Sequence, residues 1–379
     1  MQAISEAFAS AIDAMQEEVQ ALIRTLCAIP APSHHEEERA EFVKNWFEQY
    51  GMHAEIDAAK NVLCPMGLDD HEEIVVVMAH MDTVFPDRSP MPFKEEDGRM
   101  YCPGVGDNTA NLAAMMLLAR YFHEHGTPRC GVLFVGDACE EGLGNLDGCR
   151  AIMKAFGPRV KTFLSLDGDV KSVCAHAVGS YRYKITAQTK GGHSFANFGQ
   201  RSAIEVLCRL TCALYNQKLP KNGDSITTYN VGIISGGTSV NTIAQKAEML
   251  YEFRSDDPDC LAAMEKQMRT ILEENAVPDA QVHAQLLGER PCGKAGDRMA
   301  QLELENICCQ ALEHYVGRRP GRSVGSTDCN IPLSMGVPSA CFGMYVGEGE
   351  HTREEWIEPD SLQSGMKAAA SVLLNCWLM

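Results

Sequence analysis

The sequence has little positive charge and no long apolar run, and both absences exclude classes of partner. Lysine and arginine number 33 against 51 aspartates and glutamates, which leaves a formal net charge of −18. Because proteins that bind nucleic acid neutralise phosphates with lysine and arginine, this balance argues against nucleic acid and against an anionic membrane surface. No run of about 18 apolar residues is present to span a membrane. The amino terminus predicts an acidic amphipathic helix, and it lacks the charged-then-apolar order of a secretory leader.

Sixteen cysteines are present, but their spacing does not indicate a disulfide framework or a CxxC site. Many of them stand in apolar segments, namely Cys27, Cys64, Cys130, Cys208, Cys212 and Cys341. We therefore expect buried free thiols in a protein of the reducing cytoplasm.

Four short, continuous apolar runs predict strands that are buried on both faces, as in a parallel sheet. They cover residues 74–79, 132–135, 162–166 and 339–344. Helical segments separate them, at residues 111–123, 148–155 and 299–315. This alternation predicts an α/β fold with a mostly parallel sheet.

A stretch of about 108 residues in the middle of the chain has a different pattern and a natural size for a separate domain. Its order is β-α-β-β-α-β, the ferredoxin-like arrangement. The parallel-strand pattern resumes near Ala340, so this domain is inserted into the α/β domain. We predict the first part of the large domain at residues 1–178, the inserted domain at 179–288 and the second part at 289–379. An exposed strand edge or helix pair on the small domain predicts a homodimer.

Carboxylate and imidazole side chains follow three of the four apolar runs. They are His80, Asp82, Glu140, Glu141 and Asp167. Because ligands of open α/β sheets bind beyond the carboxyl ends of the strands, we expect these side chains to converge. Two more candidates lie on glycine-rich loops, namely Asp107 and His351.

Several converging carboxylates predict a metal site, because without a cation their buried charge would be unpaired. Two imidazoles and several carboxylates suit zinc, with cobalt or manganese as substitutes. The candidates outnumber the ligands of one ion, so two zinc ions per chain, about 3.5 to 4 Å apart and bridged by one carboxylate, would use them. Asp82 is spaced to contact the ring nitrogen of His80 that does not bind a metal, and so to orient the ring.

The segments HMDTVFP, GVGDNTANLAAMM, DACEEGLGN, SLDGD, KGGHS and GEGEHT resemble those of the M20 family of dinuclear zinc peptidases and deacylases. The GEGEHTREEW segment most resembles the tripeptide aminopeptidase (peptidase T) branch. The resemblance implies a mostly parallel-sheet zinc-peptidase catalytic domain with an inserted ferredoxin-like lid and dimerisation domain.

The resemblance also implies which residues hold the two ions. His80 and Asp167 would bind one zinc ion. Glu141 and His351 would bind the other, and Asp107 would bridge the two. Reasoning from the residue types alone gives the same candidate ligands, but it does not assign each of them to one of the two ions.

The catalytic roles implied by the resemblance fall to three residues. Glu140 would be the general base that activates a metal-bridging water, and Asp82 would hold His80. His193, in the inserted domain, would stabilise the oxyanion that forms when an amide carbonyl is attacked. The expected substrate is a small peptide.

Two further residues of the inserted domain match positions that contact the substrate carboxylate in relatives. They are Asn241 and Arg254. From the sequence, Arg254 could instead simply pair with Asp256 or Asp257.

Four other interpretations compete with the peptidase. An N-acyl amino acid deacylase or aminoacylase would use the same metal centre, and the motifs do not separate the two activities. A non-enzymatic binding protein would be indicated by a lost ligand, and none is missing. A dinucleotide site around Gly104 and Gly106 is disfavoured because Thr109 takes the third glycine position. A cysteine hydrolase built on Cys139 is disfavoured because the sequence offers that residue no adjacent histidine.

Overall fold

A computed structural model describes residues 1–126, 130–293 and 296–377, and it divides into two compact units. The large unit comprises residues 1–177 and the described part of 294–379. The small unit comprises residues 178–293. Sequence placed the end of the inserted segment at Gly288, but its last strand continues to Arg290. Residues 294 and 295, in the second part of the predicted large domain, lie outside the described residues.

The described residues form helices and strands that we number in chain order. The helices are α1 (Glu6–Ala14), α2 (Gln16–Cys27), α3 (Glu37–Gln49), α4 (Asn111–His125), α5 (Asp147–Phe156), α6 (Ala203–Tyr215), α7 (Pro258–Glu274), α8 (Arg298–Val316), α9 (Asn330–Ser334) and α10 (Leu362–Cys376). The strands are β1 (Glu55–Ile56), β2 (Val62–Met66), β3 (Ile74–His80), β4 (Lys94–Glu96), β5 (Arg99–Tyr101), β6 (Gly131–Asp137), β7 (Val160–Leu166), β8 (Ser172–Ala177), β9 (Gly179–Thr189), β10 (Gly192–His193), β11 (Thr227–Gly236), β12 (Thr242–Ile243), β13 (Lys246–Ser255), β14 (Ala280–Arg290), β15 (Gly321–Gly325), β16 (Ser339–Phe342), β17 (Val346–Glu348) and β18 (Trp356–Glu358).

An eight-stranded sheet of order β1-β2-β6-β3-β7-β16-β8-β15 forms the centre of the large unit. The neighbours β6, β3, β7 and β16 run parallel, and they are the four strands that the apolar runs predict. The predicted mostly parallel sheet is therefore confirmed. The outer strands β1 and β2 are antiparallel, and they were not predicted because they are short or interrupted by Pro65.

Strand β3 shows why these runs are apolar throughout. Val75, Val77 and Ala79 pack into one hydrophobic core. Ile74, Val76 and Met78 pack into a second core. Because successive side chains of a strand point to opposite faces, both faces of this sheet are buried and every position of the strand is apolar.

A smaller antiparallel sheet of order β17-β18-β5-β4 also belongs to the large unit. Strands β17 and β18 form a hairpin, and Trp356 of β18 pairs with Tyr101 of β5. The hairpin loop at residues 349–355 therefore lies beside the turn that follows β5.

The small unit is a four-stranded antiparallel sheet of order β11-β13-β9-β14 with helices α6 and α7. Its long elements follow the order β-α-β-β-α-β, which is the ferredoxin-like arrangement. Two short strands, β10 and β12, pair with each other outside this sheet. They bring the segment around His193 beside the segment around Asn241.

Two predictions made from the sequence differ from the structure. The cysteines are free thiols and most are buried, but the prediction of burial is wrong for Cys208 and Cys212, which are exposed on α6. They are exposed because the buried stripe of α6 is formed by Val206, Leu207 and Leu210, on another side of the helix. The amino terminus forms two helices that meet at Met15, not one. No helix among the described residues is long and apolar enough to cross a membrane.

Candidate metal centre

The parallel strands β3, β6 and β7 place the first polar residues of the site at one edge of the sheet. His80, the last residue of β3, pairs with Asp137 of β6. Met78 pairs with Ser165 of β7, so Asp167 lies level with His80, two positions further along. The distance from His80 Nε2 to Asp167 Oδ1 is 3.7 Å.

The small antiparallel sheet brings two loop residues to the same place. The turn after β5 carries Asp107, and the loop between β17 and β18 carries His351. Both histidines contact Asp107. Its Oδ1 lies 3.0 Å from His80 Nε2, and its Oδ2 lies 3.1 Å from His351 Nε2. His351 Nε2 is also 3.1 Å from Glu141 Oε1.

These side chains form two groups of possible metal ligands that share one carboxylate. In each group, the ligand atoms lie within 4.8 Å of one another. The first group is His80, Asp107 and Asp167, and the second is Asp107, Glu141 and His351. A third group, His80, Glu140 and Glu141, meets the same distance, and the assignment of ligands that the resemblance implies stays a prediction.

Asp82 connects the end of β3 to the loop that carries the two glutamates. Its Oδ1 accepts the backbone N–H of Glu140 and its Oδ2 accepts that of Glu141, both at 3.0 Å. Ser33 donates its hydroxyl to Oδ2 at 2.6 Å. His80 Nδ1 lies 3.0 Å from the backbone carbonyl of Asp82 and 3.4 Å from Oδ1. Asp82 therefore contacts the ring as sequence predicted, but through its carbonyl oxygen more closely than through its carboxylate.

The buried carboxylates perturb the pKa values of both histidines. Burial by itself would lower the pKa of His80, but Asp107 and Asp167 outweigh burial and raise that pKa well above its ordinary value. Hydrogen bonds to Asp107 and Glu141 raise the pKa of His351 to about 11. Without a metal ion, both imidazoles are therefore protonated at neutral pH and supply positive charge to the carboxylates.

The donor set fits divalent cations of the zinc type. Among the described residues, the ion pairs of Asp107, Asp167 and Glu141 are all with histidine. Imidazole nitrogen and carboxylate oxygen are ligands that zinc accepts. Since a neutral imidazole can ligate and a protonated one cannot, a cation would replace these protons as the counter-charge.

Glu140 is buried beside one member of each group, His80 and Glu141. It is 6% exposed, and one of its oxygens lies within 4.8 Å of ligand atoms of His80 and Glu141. Glu140 and Glu141 are adjacent in sequence, and both side chains lie at the site. The prediction gives them different roles, with Glu141 as a metal ligand and Glu140 as the general base.

The remaining predicted residues lie in the small unit. His193 and Asn241 are exposed on the paired strands β10 and β12 and the adjoining turn, and Ser194 donates its N–H to the Asn241 carbonyl at 2.9 Å. The backbone N–H groups of Phe195 and Ala196 point to His193 Nδ1 at 3.2 and 3.4 Å. Because Nδ1 accepts these bonds, the proton of the neutral ring is on Nε2, which is then a donor.

Arg254 makes a different ion pair from those that the sequence suggested. Its guanidinium binds both carboxylate oxygens of Glu252 on the same strand, at 3.1 and 3.2 Å. Residues two apart on a strand lie on the same face, which brings Arg254 and Glu252 together.

Sequence reasoning missed two buried glutamates at the site. Glu355 accepts backbone N–H groups of the turn that contains Asp107. Glu36 accepts the N–H of Cys139, the residue before Glu140, at 3.1 Å. Glu355 could have been suspected because it lies four residues after His351, whereas Glu36 is distant in sequence and gives no such signal.

The structure also corrects the reasoning about Cys139. Its Sγ lies 3.2 Å from Nδ1 of His34, so a histidine does adjoin this thiol. Burial, with the charge of Glu36 contributing, raises the pKa of Cys139 far above its ordinary value. The thiol is therefore protonated at neutral pH, which disfavours a nucleophilic role for a different reason from the one that the sequence gave.

Comparisons with known proteins point to one family. The model of the family described as Peptidase family M20/M25/M40 matches residues 76–375, well over half of the chain. The Bacillus subtilis protein YqjE is 23% identical over 368 residues, which cover 92% of this chain and 95% of that protein. The cytosol non-specific dipeptidase of Escherichia coli is 38% identical over 283 residues, which cover 65% of this chain and 56% of the dipeptidase.

A solved structure of a tripeptidase from Staphylococcus aureus has the same fold. It superposes with a TM-score of 0.78 and covers 96% of this chain and 99% of its own, at 22% sequence identity. At this identity the likeness concerns the fold.

Metal binding should release protons at neutral pH, because His80 and His351 are protonated in the metal-free protein and must be neutral to ligate. We expect zinc added to the chelated protein in weak buffer at pH 7 to acidify the solution. The apparent zinc affinity should also increase as the pH rises. A pH-stat titration measures the release directly.

The matched control for this titration is a histidine outside the site. The variant His351→Gln should release fewer protons than the unmodified protein, whereas His283→Gln, at an exposed position of β14, should release as many. Zinc binding without acidification would show that the imidazoles are already neutral.

Proposed function

Because this chain belongs to peptidase family M20/M25/M40 and is a hydrolase, we propose that it cleaves an amide bond of small peptides, as a tripeptide aminopeptidase-like exopeptidase with two zinc ions per chain. The observation that carries this proposal is the sharing of Asp107 between two three-residue groups of metal ligands. In this proposal His80 and Asp167 hold one ion, and Glu141 and His351 hold the other. Cobalt or manganese could substitute for zinc.

The proposed mechanism assigns the movement of protons to Glu140. When bound, two divalent cations lower the pKa of a water molecule and polarise the substrate carbonyl. Glu140 takes the proton of the attacking water and returns it to the leaving amine. Asp82 holds the Glu140 backbone through its N–H, which keeps this base in place.

His193 supplies the donor for the oxyanion in this proposal. Its Nδ1 is occupied by two backbone N–H groups, so its Nε2–H is available to the negative oxygen that forms on the carbonyl carbon. Asn241 and Arg254 are proposed to contact the substrate carboxylate. Arg254 would have to exchange its bond to Glu252 for one to the substrate.

The substrate class can be tested with three compounds on the zinc-reconstituted protein. They are a free tripeptide, the same tripeptide N-acetylated, and an N-acetyl amino acid. We expect cleavage of the free tripeptide alone, because an aminopeptidase reads the free amine. The chelated protein is the control for metal dependence.

The alternative function is an N-acyl amino acid deacylase with the same metal centre. The two activities differ only in the acyl group on one side of the scissile bond, and the ligand set serves both. Cleavage of only the N-acyl compounds would establish the deacylase and refute the aminopeptidase.

Replacement of the general base should separate catalysis from metal binding. Glu140→Gln keeps the size of the side chain and its backbone bond to Asp82, but it cannot accept a proton. We expect full zinc occupancy and a loss of turnover of about 10²- to 10⁴-fold. Glu313→Gln, at an exposed position of α8, is the control. A near-normal rate for Glu140→Gln would refute the assignment of this residue.

We propose that the protein is a homodimer through the small unit. Strand β11 is an edge strand with exposed apolar side chains, including Ile233 at 58% and Ile234 at 52%. Helix α6, which packs beside β11, exposes Ile204, Cys208 and Tyr215 at helical spacing. A second copy related by a twofold axis could pair its own β11 with this edge and cover these side chains.

A charge placed on this edge should prevent dimerisation, because the twofold axis would bring two copies of it together. We expect Ile233→Lys to convert the dimer to a monomer at micromolar concentration, as measured by sedimentation velocity. Gln285→Lys places the same charge on β14, the opposite edge strand, and should leave the dimer intact. A monomeric unmodified protein would refute the dimer, and dissociation by Gln285→Lys alone would move the interface to β14.

We further propose the cytoplasm as its location. The cysteines of the chain are free thiols, including the exposed Cys208 and Cys212. Exposed thiols persist most readily in a reducing compartment. A thiol titration of protein isolated under non-reducing conditions would reveal disulfides if this location is wrong.

A further inference from the structure

The turn that carries Asp107 is held by a buried carboxylate from the loop that carries His351. Glu355 is 1% exposed, and its Oε2 accepts the N–H of Gly104 at 2.5 Å. Its Oε1 accepts the N–H groups of Gly106 and Asp107, both at 2.8 Å. Both oxygens are therefore used, and all three donors belong to one turn of the backbone.

The backbone of Glu355 makes a further bond to the same segment. Its carbonyl oxygen accepts the N–H of Cys102 at 3.2 Å. Trp356, the next residue, pairs with Tyr101 in the small antiparallel sheet. The hairpin and the turn are thus joined by strand pairing at one end and by the Glu355 carboxylate at the other.

The turn has little space for another arrangement. Gly104 has a φ of +77°, a conformation that favours glycine. A Cβ on Gly106 would lie 2.5 Å from the hydroxyl oxygen of Tyr345. Within this packed turn, the N–H of Val105 donates to the Cys102 carbonyl, and the other three N–H groups donate to Glu355.

We infer that Glu355 is a positioning residue for the metal centre: by binding three N–H groups of the turn at residues 104–107, it fixes the Asp107 carboxylate between the two histidines. This inference rests on the proposed pair of cations and adds to it the residue that orients the bridging ligand. The two oxygens of Asp107 face different groups, at 3.0 and 3.1 Å from the two imidazoles.

Glu355 belongs to neither ligand group, so it acts on the site through the turn whose N–H groups it binds. Groups that orient metal ligands in this way commonly change metal affinity by about 10- to 100-fold when they are replaced.

The variant Glu355→Gln tests this inference because glutamine keeps the shape but offers only one acceptor oxygen. Its NH₂ group must face at least one N–H of the turn, where two donors meet. Glu354→Gln is the matched control, since the neighbouring Glu354 is exposed and the carboxylate that this turn binds within the described residues is that of Glu355. Circular dichroism and thermal unfolding establish that each variant is folded.

Two measurements on the full chain are needed. The first is amide hydrogen exchange of residues 102–107 in the chelated protein, which reports on the turn without a metal. The second is titration with Co²⁺, followed by its visible spectrum, which reports on the coordination of the ion. We expect Glu355→Gln to speed exchange in the turn, to weaken cobalt binding by about 10- to 100-fold and to alter the spectrum. Glu354→Gln should match the unmodified protein in both measurements.

The outcomes separate this inference from the proposed function. If the unmodified protein takes up no cobalt, the proposed metal centre is refuted and so is a positioning role for Glu355 towards it. If the unmodified protein binds cobalt and Glu355→Gln binds it with the same affinity and spectrum, the inference alone is refuted. If Glu355→Gln does not fold, Glu355→Asp takes its place: it keeps both oxygens on a shorter chain and should shift affinity and spectrum in the same direction by a smaller amount.

Discussion

The concentration of buried carboxylates at one edge of the large sheet is the constraint on which the rest of this site depends. Asp82, Glu140 and Glu141 are each at most 6% exposed, and the side chains of Asp107 and Asp167 are 12% and 14% exposed. Burying an unpaired charge is costly, so each carboxylate needs a compensating partner. The arrangement of these partners divides the carboxylates into two kinds, which differ in what compensates their charge.

The first kind faces histidines and has no lysine or arginine partner among the described residues. Asp107, Asp167 and Glu141 form this set, and their negative charge is what raises the pKa of His80 and His351. A set of this kind is balanced by protons when metal is absent and by divalent cations when it is present. The same electrostatics therefore explains both the perturbed histidines and the proposed affinity for metal.

The second kind binds backbone N–H groups and so determines where the first kind points. Asp82 holds the N–H groups of Glu140 and Glu141, Glu36 holds that of Cys139, and Glu355 holds those of the Asp107 turn. Hydrogen bonds from several N–H groups stabilise a buried carboxylate without a cation. The loop that carries Glu141 and the turn that carries Asp107 are thus each attached to carboxylates from other parts of the chain.

The sequence by itself determined the class of the fold and predicted which charged side chains follow the strands at one edge of the sheet. Runs that are apolar at every position require a sheet covered on both faces, and the parallel strands that follow from this place His80, Glu141 and Asp167 near one edge. Residue types and their positions after strands were enough for that inference, because strand direction is the only geometry it needs.

Tertiary structure decided how the ligands are shared and what holds them. The antiparallel pairing of β18 with β5 brings the His351 loop to the Asp107 turn, and the two segments are about 250 residues apart in the chain. Their contact depends on a register between short strands and on a buried carboxylate bound to backbone N–H groups. Backbone groups are the same at every residue, so no pattern of side chains in the sequence marks which N–H a distant glutamate will bind.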